Sequence, residues 1–165
     1  MLIAFSGLPG TGKTSIAREL ARRLRAAYLR VDTVEQALRS CETLDEVWAE
    51  GYETIYRLAE DNLHLGLTVI ADSVNPIDIT RDAWAEVARE ANVRLVNVEV
   101  ICSDESEHRR RVETRTADIP DLVLPTWDKV KNREYHSWSQ PRIVIDTAGR
   151  SIGACVDELN SKLLA

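Results

Sequence analysis

Five short runs of the chain are mostly apolar, and each is followed at once by a polar turn: 2–5, 27–31, 67–71, 95–101 and 142–145. Runs this short and this continuous read as strands buried on both faces. Between them, apolar positions recur at three- and four-residue steps, the period of a helix with one buried face. The predicted helices cover 13–25, 33–39, 44–64, 77–91, 104–116, 127–137 and 151–164. The longest carries Leu44, Val47, Trp48, Tyr52, Ile55, Ala59 and Leu63 along one stripe. Asp104 suits an N-cap for the helix near Glu105, and Asp78 or Thr80 suits the one that carries Trp84. This alternation predicts an α/β fold, a parallel sheet covered by helices on both faces, in one domain spanning residues 1–165.

In such a sheet, ligands collect beyond the C-terminal ends of the strands. The polar residues expected there are Ser6-Gly7, Asp32, Asp72-Ser73, Ser103-Asp104 and Asp146-Thr147. The first pair opens Gly7-Leu8-Pro9-Gly10-Thr11-Gly12-Lys13-Thr14, which matches the phosphate-binding loop G-x-x-x-x-G-K-[ST] between a strand and a helix that continues with Ser15. Glycines let successive N–H groups turn inward on phosphate oxygens, and the helix adds its unpaired N-terminal amides and positive dipole end. Residues 7–15 are therefore expected to bind a nucleoside triphosphate, with Lys13 reaching the β- and γ-phosphates and Thr14 ligating Mg²⁺.

Asp32 follows the second strand and opens the next helix. It suits a carboxylate that accepts a proton from, or orients, an attacking hydroxyl; it equally suits a helix N-cap, and the two roles can coincide. Asp72 ends an apolar strand near the phosphates, where it would organise Mg²⁺, contact the acceptor or cap the turn that follows. The run 108–115 is the one basic cluster. On a helix, Arg111 and Arg115 share a face and would clamp the β- and γ-phosphates, stabilising charge during transfer; the alternative is a solvated surface paired with Glu107 and Glu113. Residues 116–125, whose shape Pro120 and Pro125 limit, read as a mobile lid that excludes water. Trp48, Tyr52 and Tyr56 form a stripe that suits the core better than an acceptor pocket, Trp84, Trp127 and Trp138 read as structural, and His108 as solvated.

Composition changes the picture little. A hydrophobic fraction of 44% and a charged fraction of 29% are ordinary for a globular domain of 165 residues. A net charge of −6 argues against a non-specific nucleic-acid binder, though not against a local basic site. Cys41, Cys102 and Cys155 have no C-x-x-C spacing and read as reduced thiols, and they combine with His64, His108 and His136 into no zinc site. With no apolar run of membrane-spanning length and no leader ahead of the first strand, a cytoplasmic location is expected.

The layout resembles the small P-loop kinases of the AAA-domain-like ATP-binding family, whose relatives include adenylylsulfate kinase, gluconate kinase, chloramphenicol phosphotransferase and polynucleotide 5′-kinase. Residues 69–76, continuing into Arg81-Asp82-Ala83-Trp84, are similar to the equivalent strand and turn of the polynucleotide kinase. Arg30-Val31-Asp32 resembles a strand end whose carboxylate serves as general base in that enzyme and in chloramphenicol phosphotransferase, and Arg111-x-x-x-Arg115 is similar to the family's lid arginines. Residues 145–149 resemble the loop beside the adenine, which implies nucleotide contacts at Thr147 and Gly149. The chain lacks the Asp-Gly-Asp-Asn-Val-Arg run of adenylylsulfate kinase. The resemblance implies a sheet order of 2-3-1-4-5 and a kinase moving the γ-phosphoryl of ATP to a hydroxyl of a small molecule. The alternatives are a polynucleotide 5′-hydroxyl kinase, for which the sequence shows no extended basic channel, and a slow ATPase acting as a regulatory module.

Overall fold

The computed structural model describes residues 1–41 and 49–164. Strand β1 (Leu2–Ser6) lies at the centre of the sheet, flanked by β3 (Val69–Asp72) and β4 (Leu95–Ile101), with β2 (Ala27–Arg30) and β5 (Ile143–Asp146) at the edges. All pairs are parallel, and the order is β2-β3-β1-β4-β5. The continuous apolar runs follow from this position, since every residue of β1 is buried.

Alternate residues of the strands face two separate cores. Ile3, Phe5, Val98 and Ile145 meet Ile16 and Leu20 of α1 (Lys13–Leu24) and Val156 and Leu159 of α7 (Ile152–Leu164). On the other face, Leu2, Ala4, Val69 and Ala71 meet Ile55, Ala59 and Leu63 of α3 (Glu50–His64) and Trp84 and Val87 of α4 (Asp78–Glu90). At about 1.5–3 kcal/mol for each large side chain taken out of water, these two layers dominate the stability of the fold. Tyr56 belongs to the second core, edge-on to Trp84 with ring centroids 4.7 Å apart, whereas Tyr52 packs on Tyr56 and reaches out of the core. Leu44, Val47 and Trp48, predicted on the same stripe, lie outside the described residues.

Four predicted boundaries move. Helix α2 (Val31–Arg39) begins directly after β2, so its N-cap is the extended Arg30 and Asp32 sits in the first turn instead of capping it. Helix α4 begins at Asp78 behind Ile77, so neither Asp78 nor Thr80 is its cap. Helix α5 (Glu105–Thr114) is capped by Asp104, whose side chain accepts from the Glu107 N–H, but it stops before Arg115, which is extended at φ −69 and ψ 148. Arg111 and Arg115 therefore do not share a helix face. Helix α6 (Trp127–Lys131) is a short piece capped by Thr126, and its predicted extension to 137 is irregular chain.

That irregular chain is fixed by a buried arginine. Arg81 of α4 donates to the carbonyls of Asn75, Pro76, His136 and Ser137, and its guanidinium lies 4.0 Å from the Trp138 ring centroid. Backbone hydrogen bonding dominates here over the helical pattern of 132–137. Among the described residues, no helix is long and apolar enough to cross a membrane.

Candidate functional site

The loop between β1 and α1 takes a shape that its glycines alone allow. Gly7 has φ +139, and a Cβ there would sit 2.3 Å from the Val100 carbonyl oxygen; Gly10 has φ +88, and a Cβ would sit 2.5 Å from Val112. Gly12 at φ +92 is the N-cap of α1 and supplies no side-chain acceptor, so the first-turn amides are left for another ligand. Thr11 is pinned from two sides: its hydroxyl donates to the Leu8 carbonyl at 3.0 Å, and its carbonyl accepts from Thr147 Oγ1 at 2.8 Å. Thr147 is buried and Gly149 turns the chain at φ +64, so the loop after β5 closes against the glycine loop.

His108 is not solvated, contrary to the sequence expectation. It is buried, packs edge-on to Trp127 at 5.1 Å, and its Nε2 lies 2.9 Å from the Pro9 carbonyl oxygen. A carbonyl only accepts, so Nε2 carries the proton in this contact. Trp127 is thus part of the support behind the glycine loop. Arg109 and Arg110 are exposed and paired with Glu113 and Glu107.

Beneath the loop, parallel register brings the ends of β2 and β3 level, with Arg30 opposite Asp72. Lys13 Nζ lies 3.2 Å from Asp72 Oδ1, and Tyr28 donates its hydroxyl to Asp72 Oδ2 at 2.7 Å. Burial pushes the Asp72 carboxyl up, but the Lys13 charge and hydrogen bonds from Tyr28 and Thr14 outweigh it and hold the group below the usual carboxylate value. The Tyr28 phenol is pushed up, first by burial and then by the Asp72 carboxylate. Asp72 is thus an ionised carboxylate at 1% exposure, next to the Thr14 hydroxyl.

Asp32 lies on the wall of the same cavity, which encloses about 700 Å³ and is bounded by the glycine loop, α2, Tyr52 and residues of 115–125. Arg30 organises this wall. Its buried guanidinium donates to Asp32 Oδ2 at 3.3 Å and, through one nitrogen, to both oxygens of Asp118 at 3.0 and 2.9 Å. Arg18 also reaches Asp118, at 2.6 Å. Burial raises the Asp118 carboxyl, and these two arginines more than reverse that, leaving it below the usual value. Thr116, Asp118 and Leu122–Pro125, from the segment expected to form a lid, line the cavity.

Arg111 and Arg115 both line the cavity but differ in freedom. Arg111 is already committed, donating to Glu107 at 2.7 Å and to the Thr147 hydroxyl and carbonyl at 2.8 and 3.0 Å. Glu107 in turn accepts from the Gly149 N–H at 2.8 Å. Arg115 has no ion pair among the described residues, and its Nε is buried without a hydrogen-bond partner. Burial lowers its pKa.

Sequence reasoning overlooked Tyr28 and Asp118, and gave Arg30 no part beside Asp32. Arg30 alone left a signal: a charge at the last position of an edge strand, at the end of the sheet where ligands gather. Glu35, Lys129 and Arg133 also line the cavity with no motif to mark them.

Residues 2–134 match the AAA-domain family. Among curated proteins none matches the sequence. Similar solved structures include the APS kinase of Mycobacterium tuberculosis in complex with AMPPNP and APS, at 21% identity, 99% of this chain, 97% of that one and a TM-score of 0.71. A gluconokinase from Sinorhizobium meliloti follows at 15% identity, 98% and 90% coverage and a TM-score of 0.69. Kti12 of Chaetomium thermophilum, in complex with ADP-AlF3, aligns at 20% identity, 99% and 97% coverage and a TM-score of 0.68. At these identities the likeness is one of fold.

Proposed function

This chain belongs to the AAA-domain family, a P-loop group, and on that footing we propose that it is a kinase moving the γ-phosphoryl of ATP to a hydroxyl group of a small acceptor. The observation that carries the proposal is the position of Asp32 on the wall of the cavity that Lys13, Thr14 and the glycine loop also line. A nucleotide binder alone has no use for a carboxylate there.

In this reading the amides of the glycine loop and of the first turn of α1 hold the β- and γ-phosphates. Lys13 turns from Asp72 toward the phosphate oxygens, and Arg111 and Arg115 approach from the opposite side. Thr14 and Asp72 are adjacent hard oxygen donors, one a buried ionised carboxylate, and they fit Mg²⁺. Mg²⁺ bound there would neutralise phosphate charge. Asp32 orients the acceptor hydroxyl and takes its proton as that oxygen bonds to the γ-phosphorus and the bridge to ADP breaks. Arg30 fixes the Asp32 rotamer. Residues 116–125 exclude water, and the loop bearing Thr147 and Gly149 borders the adenine.

The test is acceptor-stimulated ADP release by the wild type and Asp32→Asn, against sugar acids, nucleosides, aminocyclitol and phenicol antibiotics and a 5′-hydroxyl oligonucleotide. We expect one class to stimulate the wild type, and Asp32→Asn to lose about 10²–10⁴ of that rate while still binding ATP. Equal, slow, acceptor-independent hydrolysis by both proteins would remove Asp32 from the chemistry and favour a regulatory ATPase.

A further inference from the structure

The charges lining the cavity do not balance, and the imbalance falls where the acceptor would bind. Each carboxylate on that wall already has an arginine: Asp32 has Arg30 at 3.3 Å, Glu35 has Arg39 at 3.1 Å, and Asp118 has Arg18 at 2.6 Å and Arg30 at 2.9 Å. Of the nucleotide-side cations, Lys13 is paired with Asp72 and Arg111 with Glu107. Lys129 and Arg133, four residues apart at the end of α6, line the same cavity and have no carboxylate partner among the described residues. Arg115, between the two regions in sequence, has none either. Arg133 and Lys129 are exposed at the rim of the cavity, and Arg133 is near enough for its charge to act on both Glu35 and Tyr52.

Cations without ion-pair partners that line one cavity repel one another, and a chain of net charge −6 has carboxylates to spare for pairing. An anion resolves this arrangement. The triphosphate accounts for Lys13, Arg111, Arg115 and the loop amides, which leaves Lys129 and Arg133 over. We propose that Lys129 and Arg133 form an anion subsite for the acceptor, which is therefore a small hydroxyl-bearing molecule that also carries a phosphate-type or carboxylate group. This rests on the phosphotransferase reading and narrows its substrate class. The chain as a whole is acidic, which favours a small anion over a polynucleotide.

The test reads anion binding on protein whose nucleotide site is filled with Mg²⁺ and AMPPNP, so it needs no identified acceptor. Melting midpoints of the wild type and of K129Q/R133Q are followed against inorganic phosphate and, separately, gluconate, with chloride at matched ionic strength. Phosphate stabilises folded chains generally, so the readout is the difference between the two proteins. We expect a saturating shift in the wild type, with an apparent Kd about tenfold or more weaker in the double variant and recovered in the charge-retaining K129R/R133K. Phosphate or gluconate as the better ligand separates a phosphate-ester acceptor from a carboxylate one. Equal shifts in wild type and variant, or none above chloride for either anion, would overturn the subsite while leaving the kinase reading standing. Tight binding of a 5′-hydroxyl oligonucleotide with a steep salt dependence, and no response to either small anion, would also overturn it, in favour of nucleic acid. Failure to bind AMPPNP would bring down the kinase reading and the subsite together.

Discussion

Lys13 and Asp72 hold each other in place at 8% and 1% exposure, and each without the other would be a buried, uncompensated charge. Lys13→Met should therefore destabilise the fold by about 3–5 kcal/mol at neutral pH, measured by chemical denaturation. The pH dependence should change sign as well. In the wild type the Asp72 carboxyl lies below its unfolded value, so its contribution is complete above about pH 4 and is lost as pH falls through the folded value. With Lys13 gone, burial dominates and raises the carboxyl, so the variant should regain stability between pH 7 and pH 5 where the wild type gains nothing from this group. A variant that tracks the wild type across that range would refute the pairing. At this scale the sequence was partly legible. The loop residues 7–14 declare themselves by spacing, and the strand ends locate Asp32 and Asp72. Spacing is silent on the hydroxyl of Tyr28, which reaches Asp72 from a neighbouring strand, and on His108, whose surroundings depend on how α5 lies across the glycine loop.

Helix α5 joins the glycine loop to the loop after β5. Its buried side supports Pro9 through His108 and Gly10 through Val112, and its far side ties Glu107 and Arg111 to the loop after β5. The helix begins at Asp104, whose carboxylate accepts from the Glu107 N–H at 3.0 Å and from the Ser106 hydroxyl at 2.6 Å. Asp104→Ala should cost about 1 kcal/mol, seen as a lower melting midpoint, and should weaken AMPPNP binding because Glu107 and Arg111 lie on the loosened turn. A stability loss with unaltered AMPPNP affinity would separate the helix start from the site. The Asp104 cap was readable in advance because a cap is a local interaction. The early start of α2 and the early end of α5 were not, because α2 follows β2 with no intervening turn and Arg115 gives up its helical position to enter the cavity. The irregular chain beyond α6 follows from Arg81, fifty residues earlier, and no window of sequence around 132–137 contains that cause.

Taken whole, the molecule is acidic around a cationic cavity, an arrangement that draws nucleotide anions to one mouth and repels them elsewhere. The association rate of AMPPNP should accordingly fall by roughly tenfold between low salt and 0.5 M salt, as measured by stopped-flow. A flat salt profile would mean the surface charge does no steering. The parallel sheet with helices on both faces was the most legible feature at this scale, since short apolar runs alternate with helical periodicity; its order, β2-β3-β1-β4-β5, was implied by the family resemblance. The cavity charge was the least legible, because its residues come from α1, α2, α6 and the segment between α5 and α6, and meet only in three dimensions.

The register of the strands has one more consequence. Arg30, Asp72 and Phe5 stand side by side on three adjacent strands; a slip of one residue between β1 and β3 would turn Asp72 away from Lys13, and one between β2 and β3 would take Tyr28 away from Asp72. The proposed phosphate end of the site is therefore locked to the frame, while the residues proposed to face the acceptor sit on α2, α6 and the loop before α6, none of them bound by a ladder. For protein engineering this separates a fixed socket from an interchangeable bit: on the kinase reading, residues 116–126 and 128–133 should be exchangeable for those of another chain of this fold to alter the acceptor, with Arg115, Trp127 and the glycine loop carried over intact.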